Sequence, residues 1–414
     1  MRRLVPLLRR GCDHSASYPG LASMPRNVVT SMTDSMSSRP RLRVAFVAGT
    51  LDRGGAEKQL FYMARALARE AVDVRVYSLR RGEFFEAELQ RVGIPPVWIG
   101  RRAHPVARTI ALVRALVTFR PHIVQSAHFY ANLYAVAAAM AYRALGIGAL
   151  RSDVYYEVSA NGRWGRWLLR EPTAILANSR AAKRNAESFG VRPGTVHVVP
   201  NVIDLAEFDR SAGNAPARES GRIVVASVAT QVPVKRLERF IAALACARKV
   251  GAPRVCGLLI GTGPEHEHLR AVAHRLGLGP SSVAFLGPRD DVPRLLRSAD
   301  LLLVTSDDEG FPNVILEAMA AGLPVITTPA GDAGVIVEDG VTGYVVPFDG
   351  VDQMAERIIR LARSPSLRQQ LGLEGRHRAE QRYGFEGLAR ALLDAYREIA
   401  ECGGQQALLK CIPR

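Results

Sequence analysis

The stretch of sequence that decides the fold is 301–328, LLLVTSDDEGFPNVILEAMAAGLPVITT. Its apolar runs at 301–305 and 324–328 predict two buried strands. Between them the spacing predicts a helix that begins at about Pro312, because proline suits the first helical position and disfavours helical geometry at the residue before it. A strand, a helix and a second strand in this order predict a parallel βαβ unit.

The same alternation runs outward from this stretch in both directions. Near-continuous apolar strands that alternate with helices indicate parallel sheets covered on both faces. The sequence therefore predicts an α/β fold with two Rossmann-like, doubly wound parallel-sheet domains and a cleft between them. Strands are predicted at 41–49, 72–79, 96–99, 122–127, 174–178 and 196–199, and again at 222–229, 257–261, 283–287, 301–305, 324–328 and 343–346.

The composition divides the chain into five segments. We predict a disordered basic extension at 1–40, for which a transit peptide or a start codon placed too early are alternatives. Small polar residues at 209–221 predict a linker between domains at 41–208 and 222–383. The remainder, 384–414, is predicted to be a C-terminal helix and tail that crosses back to the first domain.

The 414 residues suit two domains, and 48% hydrophobic with 23% charged residues is a globular composition. Five cysteines without a CxxC pair favour a reducing compartment over a disulfide framework. An uninterrupted apolar run of about 18 residues is absent from the sequence, so no membrane-spanning helix is predicted.

The formal net charge of +16 belongs to the first half of the chain. Residues 44–200 carry 22 basic and 11 acidic side chains, whereas 201–414 carry 25 and 26. One explanation is a compositional preference for arginine, and the other is a first half that meets an anionic partner.

The predicted start of the helix after 301–305 is a candidate anion site. Neither Gly310 nor Phe311 offers a side-chain oxygen to cap it, so the first-turn amides, including those of Asn313 and Val314, would suit a diphosphate. Glu317 lies inside an otherwise apolar helix, where ribose hydroxyls would satisfy it. Glu309 could accept hydrogen bonds from a sugar. Alternatively, Glu309 is a solvated loop acid and Glu317 a buried cap or ion-pair partner.

Four further candidates follow predicted strands. Lys235 and Arg236 are predicted in a first helical turn, where two cations oppose the helix dipole unless an anion binds there. Paired glycines allow a close backbone approach to a ligand. The glycine pairs are Gly54 with Gly55 and Gly261 with Gly263, and each could equally be a simple turn. His128 follows the strand at 122–127 and is either structural or functional.

Together these residues resemble the retaining glycosyltransferases of family 4, which have the GT-B fold. The resemblance runs from about Arg41 to the C-terminal helices. Glu309 and Glu317 match the E-x7-E motif of the family, Lys235 its phosphate-binding lysine, and Gly54 with Gly55 its first glycine loop. The run 201–204, NVID, is similar to the family's Asn-Gly-Ile/Val-Asp.

The resemblance implies transfer of a sugar, with retention, from a UDP- or GDP-sugar held by the second domain. Glu309 would contact the sugar, and Glu317 the ribose. Lys235, the helix start and the glycine loop would neutralise the diphosphate, while His128 would lie near the reacting centre. No metal or other cofactor is implied; the acidic run 307–309 is similar to a metal-binding run but is interpreted as family-type loop chemistry.

Four positions depart from the family pattern, the first being Val202, which stands where the family has the glycine of its Asn-Gly-Ile/Val-Asp run. Thr230 stands where the family usually has an arginine, Arg236 where it has a glycine, and Val335 where it often has a glutamate. Of these departures, the one at Thr230 removes a cation that the family usually places near the diphosphate.

The resemblance also assigns the acceptor, a glycan, a lipid-linked or a small molecule, to the basic first domain. The segment 162–170, GRWGRWLLR, combines two tryptophans with three arginines and suits an anionic membrane interface. The alternative buries Trp167 and Leu168 and leaves the arginines solvated. We expect a cytoplasmic protein of polysaccharide biosynthesis, peripheral at the inner face of the membrane.

Two other functions are compatible with parts of the sequence. A non-hydrolysing nucleotide-sugar epimerase shares the double α/β layout but needs more acid and base groups than Glu309 and His128. A basic nucleic-acid-binding protein would explain the charge, but the sequence lacks a helix-turn-helix, zinc or RNP pattern, and no nucleic-acid partner is expected.

Overall fold

The computed structural model describes residues 40–100, 104–213, 221–251 and 254–413. The extension predicted at 1–40, apart from Pro40, and most of the linker predicted at 209–221 lie outside these ranges. Within them, no helix combines the length and the hydrophobicity needed to cross a bilayer.

The first domain is built on a seven-stranded parallel sheet with the order β3-β2-β1-β4-β5-β6-β7. Its strands are β1 (Arg43–Ala48), β2 (Asp73–Ser78), β3 (Val97–Trp98), β4 (Ile123–Ser126), β5 (Leu145–Leu150), β6 (Ala174–Ala177) and β7 (Val196–Val198).

The second domain is built on a six-stranded parallel sheet with the order β10-β9-β8-β11-β12-β13. Its strands are β8 (Ile223–Val228), β9 (Val255–Ile260), β10 (Val283–Gly287), β11 (Leu301–Val304), β12 (Val325–Thr327) and β13 (Gly343–Val345).

Helices cover both faces of each sheet, as parallel strands require. Those of the first half are α1 (Gly55–Arg69), α2 (Phe84–Arg91), α3 (Pro105–Leu116), α4 (Asn132–Tyr142), α5 (Val154–Ala160), α6 (Gly165–Arg170), α7 (Arg180–Ser188) and α8 (Leu205–Ala212). Those of the second half are α9 (Leu237–Val250), α10 (His266–Arg275), α11 (Val292–Ser298), α12 (Asn313–Ala320), α13 (Ala333–Ile336), α14 (Val351–Arg363), α15 (Pro365–Tyr383), α16 (Leu388–Cys402) and α17 (Gln406–Leu409).

Each sheet has a point where the winding direction reverses, and ligands of doubly wound sheets bind at such points. In the first sheet the point lies between the neighbouring strands β1 and β4, and in the second between β8 and β11. The loops that follow these four strands carry Gly54, His128, Lys235 and Glu309. The fold therefore places the predicted motifs at two ligand-binding edges.

The C-terminal helix α16 packs against α1 of the first domain. Leu392 and Tyr396 of α16 are buried in the same core as Leu60 and Met63 of α1. The Tyr396 hydroxyl donates a hydrogen bond to Gln125 Oε1 at 2.5 Å. The last part of the chain thus completes the core of the first domain.

The predicted boundaries at 208 and 209 are wrong, because α8 continues to Ala212. The Asp204 carboxylate caps this helix by accepting from the amide of Glu207 at 2.8 Å. Phe208 and Ala212 lie one turn apart and are buried with Leu302 and other residues of the second domain. The end of α8 was not predicted because 209–212 is mostly polar. The apolar side of this helix packs in the core of the second domain.

Strand β5 was not among the predicted strands. Its sequence, LGIGAL, contains two glycines, which have low strand propensity. They are needed because a side chain at Gly146 would lie 3.0 Å from Ala139 Cβ, and one at Gly148 would lie 2.8 Å from Pro172. Close packing of α4 and Pro172 against the sheet therefore overrides the local preference.

Candidate functional site

The N-terminus of α12 has the character that the sequence predicts. Its N-cap residue is Pro312, and no side chain forms a capping hydrogen bond there. The tip opens into a cavity of about 340 Å³, whose lining includes Phe311, Pro312, Asn313 and Val314. Since first-turn amides of a helix point outward and carry partial positive charge, this cavity is suited to an anion.

Lys235 and Glu309 line the same cavity and form an ion pair. Lys235 Nζ donates to Glu309 Oε1 at 2.6 Å, and the Ser306 hydroxyl donates to the same oxygen at 2.7 Å. The carbonyl of Lys235 accepts a hydrogen bond from the Thr305 hydroxyl at 2.9 Å. This bond joins the segment that carries Lys235 to the end of β11. The structure thus brings together two residues 74 positions apart in the chain.

The prediction that Lys235 and Arg236 lie in the first turn of an α-helix is wrong. Pro233–Lys235 forms a short 3-10 turn, and α9 begins only at Leu237. Between them Arg236 has a left-handed backbone with φ of 48°. Its side chain pairs with Glu238 at 3.0 Å and Asp307 at 3.1 Å and is not part of the cavity lining. Because Arg236 has this left-handed backbone, the side chains of Lys235 and Arg236 point in different directions.

Glu317 lies one turn into α12 and contacts the first domain. Lys58 Nζ of α1 donates to Glu317 Oε1 at 2.9 Å, with side-chain exposures of 30% for Lys58 and 18% for Glu317. Although burial by itself lowers the pKa of an ammonium group, the Glu317 carboxylate raises the pKa of Lys58 above its usual value. In this structure Glu317 is therefore an ion-pair partner, and the predicted contact with a ribose stays a prediction.

His128 lies at the end of β4 against the loop that follows β1. Its Nδ1 accepts from the amide of Gly49 at 3.2 Å, and its Nε2 lies 3.0 Å from Glu57 Oε1. Because Nδ1 is an acceptor, a neutral ring carries its proton on Nε2 and donates it to Glu57. The ring of Tyr130 stacks on His128 with centroids 5.5 Å apart. These contacts fix the orientation of the ring.

Two glycines allow the domains to approach each other closely. A Cβ atom at Gly55 would lie 2.5 Å from Asn313 Nδ2, and one at Gly310 would lie 3.1 Å from the carbonyl oxygen of Arg151. Gly54 is the N-cap of α1, and its neighbouring side chain is that of Glu57. The glycine loop therefore lies against the tip of α12.

Gly261 and Gly263 pack against the backbone of the loop that follows β8 and leads to Lys235. A Cβ atom at either position would collide with backbone atoms of Ala229 or Gln231. Neither glycine belongs to the lining of the 340 Å³ cavity. Their close approach to the loop after β8 explains why glycine occurs there, and a direct contact with a donor stays a prediction.

The acidic run 307–309 does not converge on one point. Asp307 pairs with Arg239 and Arg236, and Glu309 pairs with Lys235. Asp308 faces Asp153 of the first domain, and burial together with that neighbouring carboxylate raises the pKa of Asp308 to about 6. Each of the three acids thus faces a different side chain, and they do not form a metal-binding cluster.

Sequence reasoning missed three polar residues that line the cavity from the first domain, namely Arg151, Asn178 and Asn201. Asn201 Nδ2 donates to Asn313 Oδ1 at 2.8 Å, which joins the first domain to the tip of α12. Asn201 belongs to the NVID run, so its motif was a usable signal. Arg151 directly follows β5, and it was overlooked because that strand was not predicted.

Comparisons with known proteins agree with this architecture. Residues 221–364 match the family described as "Glycosyl transferases group 1", and residues 53–207 match "Glycosyltransferase Family 4". The D-inositol 3-phosphate glycosyltransferase of Kribbella flavida is 33% identical over 55% of this chain and 57% of its own length. That of Salinispora arenicola is 33% identical over 58% of each chain. The chain thus spans little more than half the length of these curated relatives.

Solved structures share the fold. The crystal structure of Anabaena Alr3699/HepE in complex with UDP and glucose superimposes with a TM-score of 0.73 at 23% identity. The match covers 86% of this chain and 99% of that one. The predicted GT-B fold, with its two Rossmann-like doubly wound domains, is confirmed. Since the two family matches extend over most of the chain, this protein belongs to the family 4, group 1 glycosyltransferases.

Proposed function

We propose that this protein transfers a sugar, with retention, from a nucleoside-diphosphate sugar to an acceptor held by the first domain. The observation that carries the proposal is the uncapped tip of α12, which opens with Lys235 into one cavity at the switch point of the second sheet. A helix N-terminus and an ammonium group are the groups that stabilise a phosphate. The solved HepE structures contain UDP, UDP with glucose, or UDP-glucose, which supports a UDP-sugar as donor.

The chemistry asked of this site is stabilisation of a departing diphosphate. The bond between the anomeric carbon and the phosphate oxygen breaks, while a bond to the acceptor oxygen forms on the same face. The proton of the acceptor passes to the departing phosphate, so that no enzyme base is required, and attack on the same face gives retention without an enzyme nucleophile. Lys235 and the first amides of α12 stabilise the negative charge that develops on the leaving group.

Glu309 and His128 are assigned to the sugar and the reacting centre. The Glu309 carboxylate, held by Lys235 and Ser306, can accept hydrogen bonds from sugar hydroxyls. His128 presents the Nε2 proton that Glu57 accepts here, and a sugar hydroxyl can take the place of Glu57. We propose that the reaction needs no metal ion.

The test is binding and transfer with a panel of UDP- and GDP-sugars. We expect one donor to raise the melting temperature and Lys235→Ala to weaken its binding about 10- to 100-fold, as loss of a charge-assisted hydrogen bond does. The matched control is Lys249→Ala, which removes an exposed lysine at the end of α9. Equal donor binding by the two variants, or interconversion of the donor sugar without acceptor, would contradict the proposal.

We further propose that the first domain meets an anionic membrane on the cytoplasmic side, where a glycan or lipid-linked acceptor of polysaccharide biosynthesis is presented. Tyr155, Tyr156 and Trp164 are 54%, 67% and 58% exposed. Arg163 and Arg166 are also exposed there. Leu168, in contrast, is buried, and Trp167 packs against the core.

Exposed aromatic rings next to arginines are typical of a membrane interface. Binding to anionic liposomes should weaken as salt increases, because the charges are screened. Trp164→Ser should reduce liposome recovery without changing donor binding. Equal recovery with neutral and anionic liposomes at low salt would contradict the membrane proposal.

A further inference from the structure

Three charged side chains line the cavity at the tip of α12 within the part of the chain that the structure describes: Arg151, Lys235 and Glu309. Lys235 and Glu309 are paired at 2.6 Å, so their charges offset each other. The net positive charge of the cavity therefore comes from Arg151, which the first domain contributes. A diphosphate would meet little net attraction from these side chains without it.

Arg151 is partly buried, and its guanidinium has no anionic partner among the described residues. Its Nη1 donates to Asn201 Oδ1 at 3.3 Å, and its Nη2 lies 3.1 Å from Met63 Sδ. Burial lowers the pKa of Arg151 to about 10, so that it remains charged at neutral pH. Partial burial of a cation that lacks an anion is unfavourable, which is a reason to look for the anion in a ligand.

The position of Arg151 relative to the helix tip supplies the geometry. Asn201 accepts from Arg151 and donates to Asn313 at 2.8 Å, so a chain of two hydrogen bonds joins the guanidinium to the first residue of α12. Arg151 and Lys235 approach the cavity from different domains. Thr230, which also lines it, carries no charge.

We propose that Arg151 is the second cation of the diphosphate site and donates to a phosphate oxygen of the donor across the cleft. This inference rests on the proposed function. On the side of the cavity formed by the second domain, Thr230 is uncharged. The first domain supplies a positive charge there through Arg151, at the end of β5. Tight binding of the diphosphate therefore requires both domains, and it couples donor binding to their closure.

The experiment compares Arg151→Met and Arg151→Lys with a control, Arg184→Met, at an exposed arginine of α7. Calorimetry measures the binding of UDP and uridine, or of GDP and guanosine if the wild type prefers them. We expect Arg151→Met to weaken diphosphate binding about 10- to 100-fold and to leave nucleoside binding unchanged. Arg151→Lys should regain part of the loss, and Arg184→Met should bind the diphosphate as the wild type does.

A melting curve without ligand separates this role from a structural one. Because Arg151→Met removes an unpaired charge, the ligand-free variant should melt no lower than the wild type. A large fall in its melting temperature, an equal loss of nucleoside affinity, or wild-type affinity for the diphosphate would each overturn the proposal. If the wild type binds neither diphosphate, the proposed function fails as well.

Discussion

The ion pair between Lys58 and Glu317 joins the two domains and offers a quantitative test. At 2.9 Å, an effective dielectric constant of about 20 gives a gross attraction of about 6 kcal/mol. Desolvation of two side chains that are mostly withdrawn from water offsets most of it. We therefore expect a net coupling of about 1–2 kcal/mol.

A double-mutant cycle with Lys58→Met and Glu317→Gln measures this coupling. Each single change leaves an uncompensated partner and should destabilise the ligand-free protein, whereas the double change should cost about 1–2 kcal/mol less than the sum of the two. The measurement is the free energy of unfolding from urea titration, monitored by fluorescence and circular dichroism so that stepwise unfolding of the domains is detected.

The interpretation has a clear point of failure. A coupling below about 0.5 kcal/mol would show that the two charges do not stabilise the interdomain contact, as for exposed ion pairs. Glu317→Ala should also abolish the donor-induced rise in melting temperature if Glu317 binds the ribose. Full donor affinity in that variant would refute the ribose assignment and leave Glu317 with the interdomain role alone.

Two further predictions follow from contacts across the cleft. Gly55→Ala places a Cβ atom 2.5 Å from Asn313 Nδ2, and by hindering domain closure it should lower the transfer rate at saturating donor. The control Gly279→Ala, whose Cβ atom would have no neighbour within 4 Å, should leave the rate unchanged. Equal rates for the two variants in a coupled UDP-release assay would contradict this prediction. Asp308, facing Asp153, has its pKa raised to about 6, so the folded state binds more protons and stability falls as pH rises from about 4 to 6. Asp308→Asn should therefore raise the melting temperature at pH 8 more than at pH 4, and an equal effect at both values would exclude the carboxylate repulsion.

Local sequence patterns determined most of the strands. The apolar runs at 301–305 and 324–328 became β11 and β12 within one residue at each end, because buried parallel strands must be apolar on both faces. The pattern failed for β5, where tight packing selected glycines, and for α8, where a short polar helix buries only Phe208 and Ala212. In both places the deciding contacts are distant in sequence.

The site divides in the same way. The sequence by itself determined the uncapped start of α12 with Glu309 and Glu317 around it, because proline geometry and the absence of a capping oxygen are local properties. Only the tertiary structure decided that Lys235 pairs with Glu309, that Lys58 reaches Glu317, and that Arg151 faces the helix tip. These charges belong to separate strand-to-helix loops or to the beginnings of the helices that follow them, and the winding of the two sheets brings these segments together.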